Sequence, residues 1–276
     1  VSIIAIIIFG ALVLLIIYVF LNGIYEIFEV FVDFYYGDKL HLRSLQKKPL
    51  EAQYKRAIAN HFPYYKKLKP HKQDLFERKV QWFIDSREFV NGADLDELHP
   101  DMIALVSATA IQVTFGFPRV YLKHFKRVYI YNDAFQSPNT GKYHYGEVNG
   151  KGVIVLSWKN FVQGLFNETN GRNLGLHEMA HALKVENAIQ NKEYGFLNQK
   201  SYGRFHAEGR WEMHRMRNGE ANFFRDYAAI NDHEFFAVAM ENFFERPAAF
   251  RAHNPKLYTI MTRMLNQDPL KMSMPN

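Results

Sequence analysis

Apolar positions along the 276-residue chain fall into three regimes, and each predicts a different kind of element. From Ile3 to Leu21 they are continuous: nineteen residues pass without a charge, and the first charged side chain is Glu26. At ~1.5 Å per residue that run is about 28 Å of helix, close to the ~30 Å hydrocarbon thickness of a bilayer. It predicts one membrane-spanning helix. A cleavable signal would instead want a basic start, a shorter apolar stretch and an A-x-A-like exit. Tyr25 to Tyr36 then interleaves Phe28, Phe31, Phe34 and Tyr35 with Glu26, Glu29 and Asp33, the pattern of a helix leaving through an aromatic interface belt.

In the second regime apolar residues recur three or four apart, over Leu50–Phe62, Lys72–Phe89 and Pro100–Phe115, with Pro63, Asn91-Gly92 and Gly116 as breaks. These predict a helical N-terminal layer. The third regime is β-branched and aromatic, in Arg127–Asn132 and Val153–Trp158. The turn-rich segment between them predicts a hairpin-like connection, with Gly150-Lys151-Gly152 as a turn rather than a phosphate loop. Helical spacing returns over Leu174–Ile189, Asp232–Glu245 and Pro255–Asn266, while Asn191–Arg217 is the least regular stretch.

Charge sharpens the membrane reading. Lys39 to Lys79 holds twelve Lys and Arg against three acidic residues, a local excess of +9 where the whole chain carries only +6. The excess is juxtamembrane, which by the positive-inside rule places the body of the protein in the cytoplasm, as at a bacterial inner membrane. Such a segment suits anionic headgroups, and no nucleic-acid module accompanies it, so no nucleic-acid partner is expected. The absence of cysteine excludes thiol catalysis, iron–sulfur clusters and thiolate zinc, leaving only nitrogen and oxygen ligands for any metal.

Candidate chemistry sits in one predicted helix. In Gly175-Leu-His177-Glu178-Met-Ala-His181 the two histidines lie four apart and aim at one point, with Glu178 one step round, where it reaches a bound water rather than the ion. This is the H-E-x-x-H arrangement of zinc peptidases, with Glu178 as general base. An open catalytic zinc needs a third protein ligand. Among downstream histidines and glutamates, Glu234 and Glu241 share one face of a strongly patterned helix, and the pattern does not choose between them.

With this motif, Asp226-Tyr-Ala-Ala229, Glu234-Phe-Phe-Ala-Val-Ala239, Glu241-Asn-Phe-Phe244, Leu265-Asn-Gln-Asp-Pro-Leu270, Tyr131-Asn-Asp-Ala-Phe135 and Gly152-Val-Ile-Val-Leu-Ser-Trp158 also stand in the chain. From Asp101 onward it resembles the zinc-dependent peptidase family of Mlc titration factor A, itself similar to lethal-factor-type metallopeptidase domains. The resemblance implies one Zn²⁺ held by His177, His181 and Glu234. It also implies an oxyanion-facing Tyr227, seven residues before Glu234, and a transcription regulator as a possible partner beside peptide or protein substrates. The chain departs from the family at Lys184, where an aspartate is common, and His144 does not stand at the distance of a further family histidine.

The resulting expectation is an α+β, mostly helical zincin-type domain with a small sheet, preceded by one transmembrane helix. Residues 1–38 would form the anchor, contacting the bilayer through residues 3–21. Residues 39–276 would form the peptidase, with 39–99 as a basic helical layer and 100–276 as the catalytic part. Val153–Ser157 is expected to pair with an extended substrate. The alternative function is a binding protein that sequesters a transcription regulator at the membrane, peptidase activity being secondary.

Overall fold

The uninterrupted apolar run is dominated by Ile, Leu, Val and Phe, with no proline and a single glycine, Gly10, so nothing in it stops an i to i−4 hydrogen-bond ladder. In the computed structural model, which describes residues 3–36, 48–120, 122–167, 170–191, 193–220 and 223–272, helix α1 spans Ile3–Tyr36. Contacts divide the chain into two units, Val1–Lys47 and Lys48–Asn276. In the first, the window Ile8–Tyr25 is long and apolar enough to cross a membrane, and none of it is buried within the protein. The side chains of the aromatic belt from Glu29 on, and residues 39–47 of the basic segment, lie outside the described residues.

The second unit is mostly helical, with two small sheets. Helices α2 (Ala52–His61), α3 (Pro63–Lys66), α4 (Pro70–Asp85) and α5 (Pro100–Thr114) form its N-terminal layer, Pro63, Pro70 and Pro100 each opening a helix where a missing N–H costs nothing. Helix α5 is buried from Ala104 to Thr114, and Thr109 and Thr114 return their hydroxyls to carbonyls one turn back. It packs against α2 and α4 on one side and against α7 (Leu174–Ala188), the helix of the histidine pair, on the other. Helices α6 (Trp158–Leu165), α8 (Gln199–Arg217), α9 (Asp232–Glu245), α10 (Pro247–His253), α11 (Pro255–Leu265) and α12 (Pro269–Met272) complete the unit.

The larger sheet has the order β1 (Glu88–Asn91), β2 (Arg127–Tyr131), β6 (Val153–Ser157), β5 (Gly146–Asn149). This corrects the hairpin expected between Arg127–Asn132 and Val153–Trp158. Those strands pair in parallel, Arg127 opposite Val153 and Tyr131 opposite Ser157. Antiparallel pairing belongs to β5 and β6, joined through the predicted turn at Gly150-Lys151-Gly152. The chain between β2 and β5 forms a separate two-stranded sheet, β3 (Phe135–Gln136) with β4 (Tyr143–His144).

Two further boundaries move. The helix expected to reach Phe89 stops at Asp85, where the Ser86 hydroxyl donates to Trp82 O, and Glu88 then pairs with Lys126. Within the irregular stretch, Gln199–Arg217 is helix α8. Its Gly209 lies where any Cβ would run into the ring of Phe235, so glycine lets α8 close onto α9. On β2 and β6 the alternate residues Val128, Ile130, Ile154 and Leu156 are buried in the core, as period-two strands require.

Candidate metal centre

Asn173 caps α7, its side chain accepting the Leu176 N–H at 2.9 Å, so the helix begins one turn before His177. Asn231 caps α9 in the same way, accepting from His233 and Glu234 N–H at 2.8 and 3.0 Å. The two caps fix the starts of helices that pack on each other, and this brings residues 57 positions apart to one point. His177 Nε2 and His181 Nε2 stand 3.1 Å apart, and Glu234 Oε2 lies 3.1 Å from the first and 3.6 Å from the second. Three donors around a tetrahedral zinc at about 2.0–2.1 Å stand roughly 3.3 Å apart.

The protonation pattern fits an ion as well. A carboxylate only accepts, so His177 Nδ1, 2.7 Å from Glu241 Oε1, carries the ring proton and leaves the Nε2 lone pair facing the other two donors. Glu234 Oε2 is buried and accepts no hydrogen bond in the described structure. A buried, orphaned carboxylate oxygen beside two imidazole nitrogens is a set of lone pairs that only a cation or protons satisfy. Burial works against charge on His177, but Glu234 and Glu241 outweigh it and push the ring up to about 10. Burial also opposes ionisation of Glu234, yet the two histidines hold it well below the usual carboxylate range. Both shifts describe a pocket organised for positive charge.

The two glutamates left open by the sequence therefore separate. Glu234 faces the convergence point, whereas Glu241, fully buried two turns along α9, stands behind His177. Arg225 donates to both Glu241 oxygens, at 2.6 and 2.7 Å, and the Asn173 N–H adds a bond at 2.8 Å. Sequence reasoning missed Arg225 and Asn173. Their only local signals are proximity to the Asp226–Ala229 string and a capping residue ahead of the histidine helix.

Glu178 is 5 % exposed, and burial raises its pKa above the usual carboxylate value, the direction a general base at neutral pH requires. Gly146, at the start of β5, sits against it: a Cβ there would overlap the Glu178 carboxyl group. Tyr227, in the 3-10 turn Asp226–Ala229, keeps 45 % of its surface exposed with its ring 5.9 Å from that of His177. Burial, then the charge of Glu234, raises its pKa, so the phenol stays protonated and able to donate.

Other residues stay apart from the donor set. His144 pairs with Thr140 Oγ1 at 2.8 Å, His206 with Asp232 at 3.6 Å and His253 with Glu212 at 3.4 Å. Lys184 is buried, its ammonium donating to Asp232 O at 3.2 Å, and desolvation lowers its pKa. The expected substrate strand also moves. Strand β6 is paired on both sides, by β2 and β5, so it has no edge to offer, and the open edge next to Glu178 is β5. A cleft of about 660 Å³ opens here, with His177, Glu178, Arg225, Tyr227, Arg172 and Tyr145 in its walls.

Comparison with known proteins gives a consistent picture. Residues 38–265 match the family model described as glucose-regulated metallo-peptidase M90. An uncharacterized protein of Synechocystis sp. is 25 % identical over 248 residues, covering 83 % of this chain and 88 % of its own. Mlc titration factor A of Cronobacter sakazakii is 27 % identical over 249 residues, 83 % of this chain and 90 % of its own. Mlc titration factor A of Escherichia coli is 27 % identical over 208 residues, 68 % and 77 % respectively.

Proposed function

The chain belongs to the glucose-regulated metallo-peptidase M90 family, and on that premise we propose that it is a membrane-anchored zinc peptidase whose one ion is held by His177, His181 and Glu234. The observation that carries this reading is the largely buried His177, His181, Glu234 triangle, His177 buried and the other two half-buried, with buried Glu178 beside it. When bound, zinc would acidify a water and polarise the scissile carbonyl. Glu178 takes the proton of the attacking water and returns it to the leaving amine. Tyr227 donates its hydroxyl to the developing oxyanion. Glu241, held by Arg225, keeps His177 in the tautomer that binds through Nε2. The β5 edge holds the substrate extended, and Gly146 brings its backbone close to Glu178.

Residues 1–38 act as the anchor and 39–276 as the peptidase unit, which the basic segment holds at the cytoplasmic face. Support comes from the Ile8–Tyr25 window and the +9 excess over residues 39–79. Removing residues 1–38 should release the protein from carbonate-washed membranes. Retention on the membrane would reject the anchor.

A second reading is favoured by the names of the relatives: the Mlc titration factors are named for titrating Mlc, and they cover up to 83 % of this chain. By that reading the chain binds a transcription regulator, and the names support it more directly than they support hydrolysis. The Glu178→Gln variant separates the two. It should keep zinc and lose all hydrolysis if the site is catalytic, and retained hydrolysis rejects the role of Glu178. Stoichiometric capture of a regulator by the same variant supports titration, whereas capture of peptides alone supports proteolysis.

A further inference from the structure

Most of the charge in the cleft is already matched. Arg225 is cancelled by Glu241 through two short hydrogen bonds, and His177 and Glu178 belong to the proposed catalytic group. His144 is engaged by Thr140. Arg172 differs: it lines the same cleft and is exposed, and among the described residues its guanidinium makes no hydrogen bond or ion pair. Its backbone is nevertheless set, since its N–H donates to Asn170 Oδ1 at 2.8 Å and the next residue is the cap of α7. Among the described residues the cleft thus presents one uncompensated positive charge, on an anchored stretch of chain, and no uncompensated acidic side chain other than Glu178.

We infer that Arg172 is a specificity residue that recognises a carboxylate of the bound peptide. This rests on the peptidase reading above and names the substrate class for it. A planar guanidinium with free donors matches a carboxylate through two parallel N–H···O bonds, and neutral or basic groups forgo that match. Arg172 precedes the Asn173 cap of α7, so it lies outside the helix that carries His177 and Glu178 but in the wall of the same cleft. The group recognised is therefore an acidic side chain of the peptide away from the scissile bond, or a chain-terminal carboxylate.

The test uses the full zinc-loaded chain in detergent. Fluorescent peptides of neutral sequence carry one Glu walked along the chain, each with a Gln counterpart and with free or amidated C-termini. Wild-type protein reports cleavage position by mass spectrometry, and the Glu178→Gln variant reports binding without turnover. A Glu at one position of the bound peptide should bind about two- to fivefold more tightly than Gln. Adding Arg172→Gln should abolish the difference, and Arg172→Glu should turn it toward Lys. A preference seen only with free over amidated ends assigns the carboxylate to the chain terminus. The inference is overturned if Glu and Gln, and acid and amide, bind alike at every position, or if a preference survives Arg172→Gln. Indiscriminate cleavage would defeat the inference while leaving the peptidase reading intact. Discriminating binding without cleavage by wild type would do the reverse.

Discussion

Replacing Glu241 by Gln tests the support of the metal centre, because the side chain keeps its size and loses only its charge and half its acceptor capacity. Glu241 is fully buried and accepts four N–H bonds at 2.6 to 2.8 Å, from His177, from Arg225 twice and from Asn173. A glutamine offers one oxygen to these donors and sets its own NH₂ against the rest. Breaking a buried ion pair costs about 3–5 kcal/mol, and since the Arg225 side chain keeps 24 % of its area in solvent, about 2–3 kcal/mol is the appropriate range here. For a domain of this size that lowers the metal-free Tm by roughly 4–12 °C.

The effect on the metal is separate. Loss of an outer partner of a ligating histidine weakens binding by about 10–100-fold, or roughly 1.4–2.8 kcal/mol. At fixed excess zinc the same amount disappears from the stabilisation that zinc confers. Chelator competition measures the affinity, and melting with and without zinc measures both terms. An affinity within about threefold of wild type, accompanied by the expected fall in metal-free Tm, would show that Glu241 braces the fold and does not tune His177.

Two other expectations follow from the same geometry. Gly146→Ala should displace the Glu178 carboxyl group and lower kcat by roughly 10–100-fold while zinc content stays unchanged; a wild-type kcat refutes the contact. In the metal-free protein, the protonated His177 contributes stability fully present below about pH 6.5 and lost as pH rises toward about 10, whereas Glu234 contributes above about pH 4.5 and loses it as acid protonates the group. Zinc must displace the His177 proton, so its apparent affinity should rise about tenfold per pH unit between about pH 7 and 9; a flat profile by chelator competition contradicts this.

What could be read in advance follows sequence distance. The spacing of His177 and His181 is a property of one helix, so their convergence needs no tertiary information. The choice between Glu234 and Glu241 is different, since both lie on one patterned helix and only the packing of α9 on α7 decides which side of the His177 ring each meets. Arg225 has no periodic signature, because its partner lies sixteen residues away in another element. The parallel pairing of β2 and β6 escapes the sequence because a turn-rich connection usually signals a hairpin. Here it contains the β3–β4 excursion and the β5 edge before the chain returns. The polar composition of helix α8 hides it; what holds it is packing against α11 and, at Gly209, against α9, which no local pattern displays.

The separation of the two motif helices also orders events during synthesis. Helix α1 precedes the site in the chain, and α7 brings only two of the three proposed zinc donors. The third waits until α8 and the 3-10 turn have been made, when Glu234 and then Glu241 leave the ribosome together with the core phenylalanines of α9. Domains fold as units during translation at about 5–20 residues per second. Over the roughly 200 residues between α1 and Glu234 the chain therefore passes about 10–40 s with its metal pocket chemically incomplete. A nascent peptidase that cannot yet hold its ion cannot cut its neighbours on the polysome.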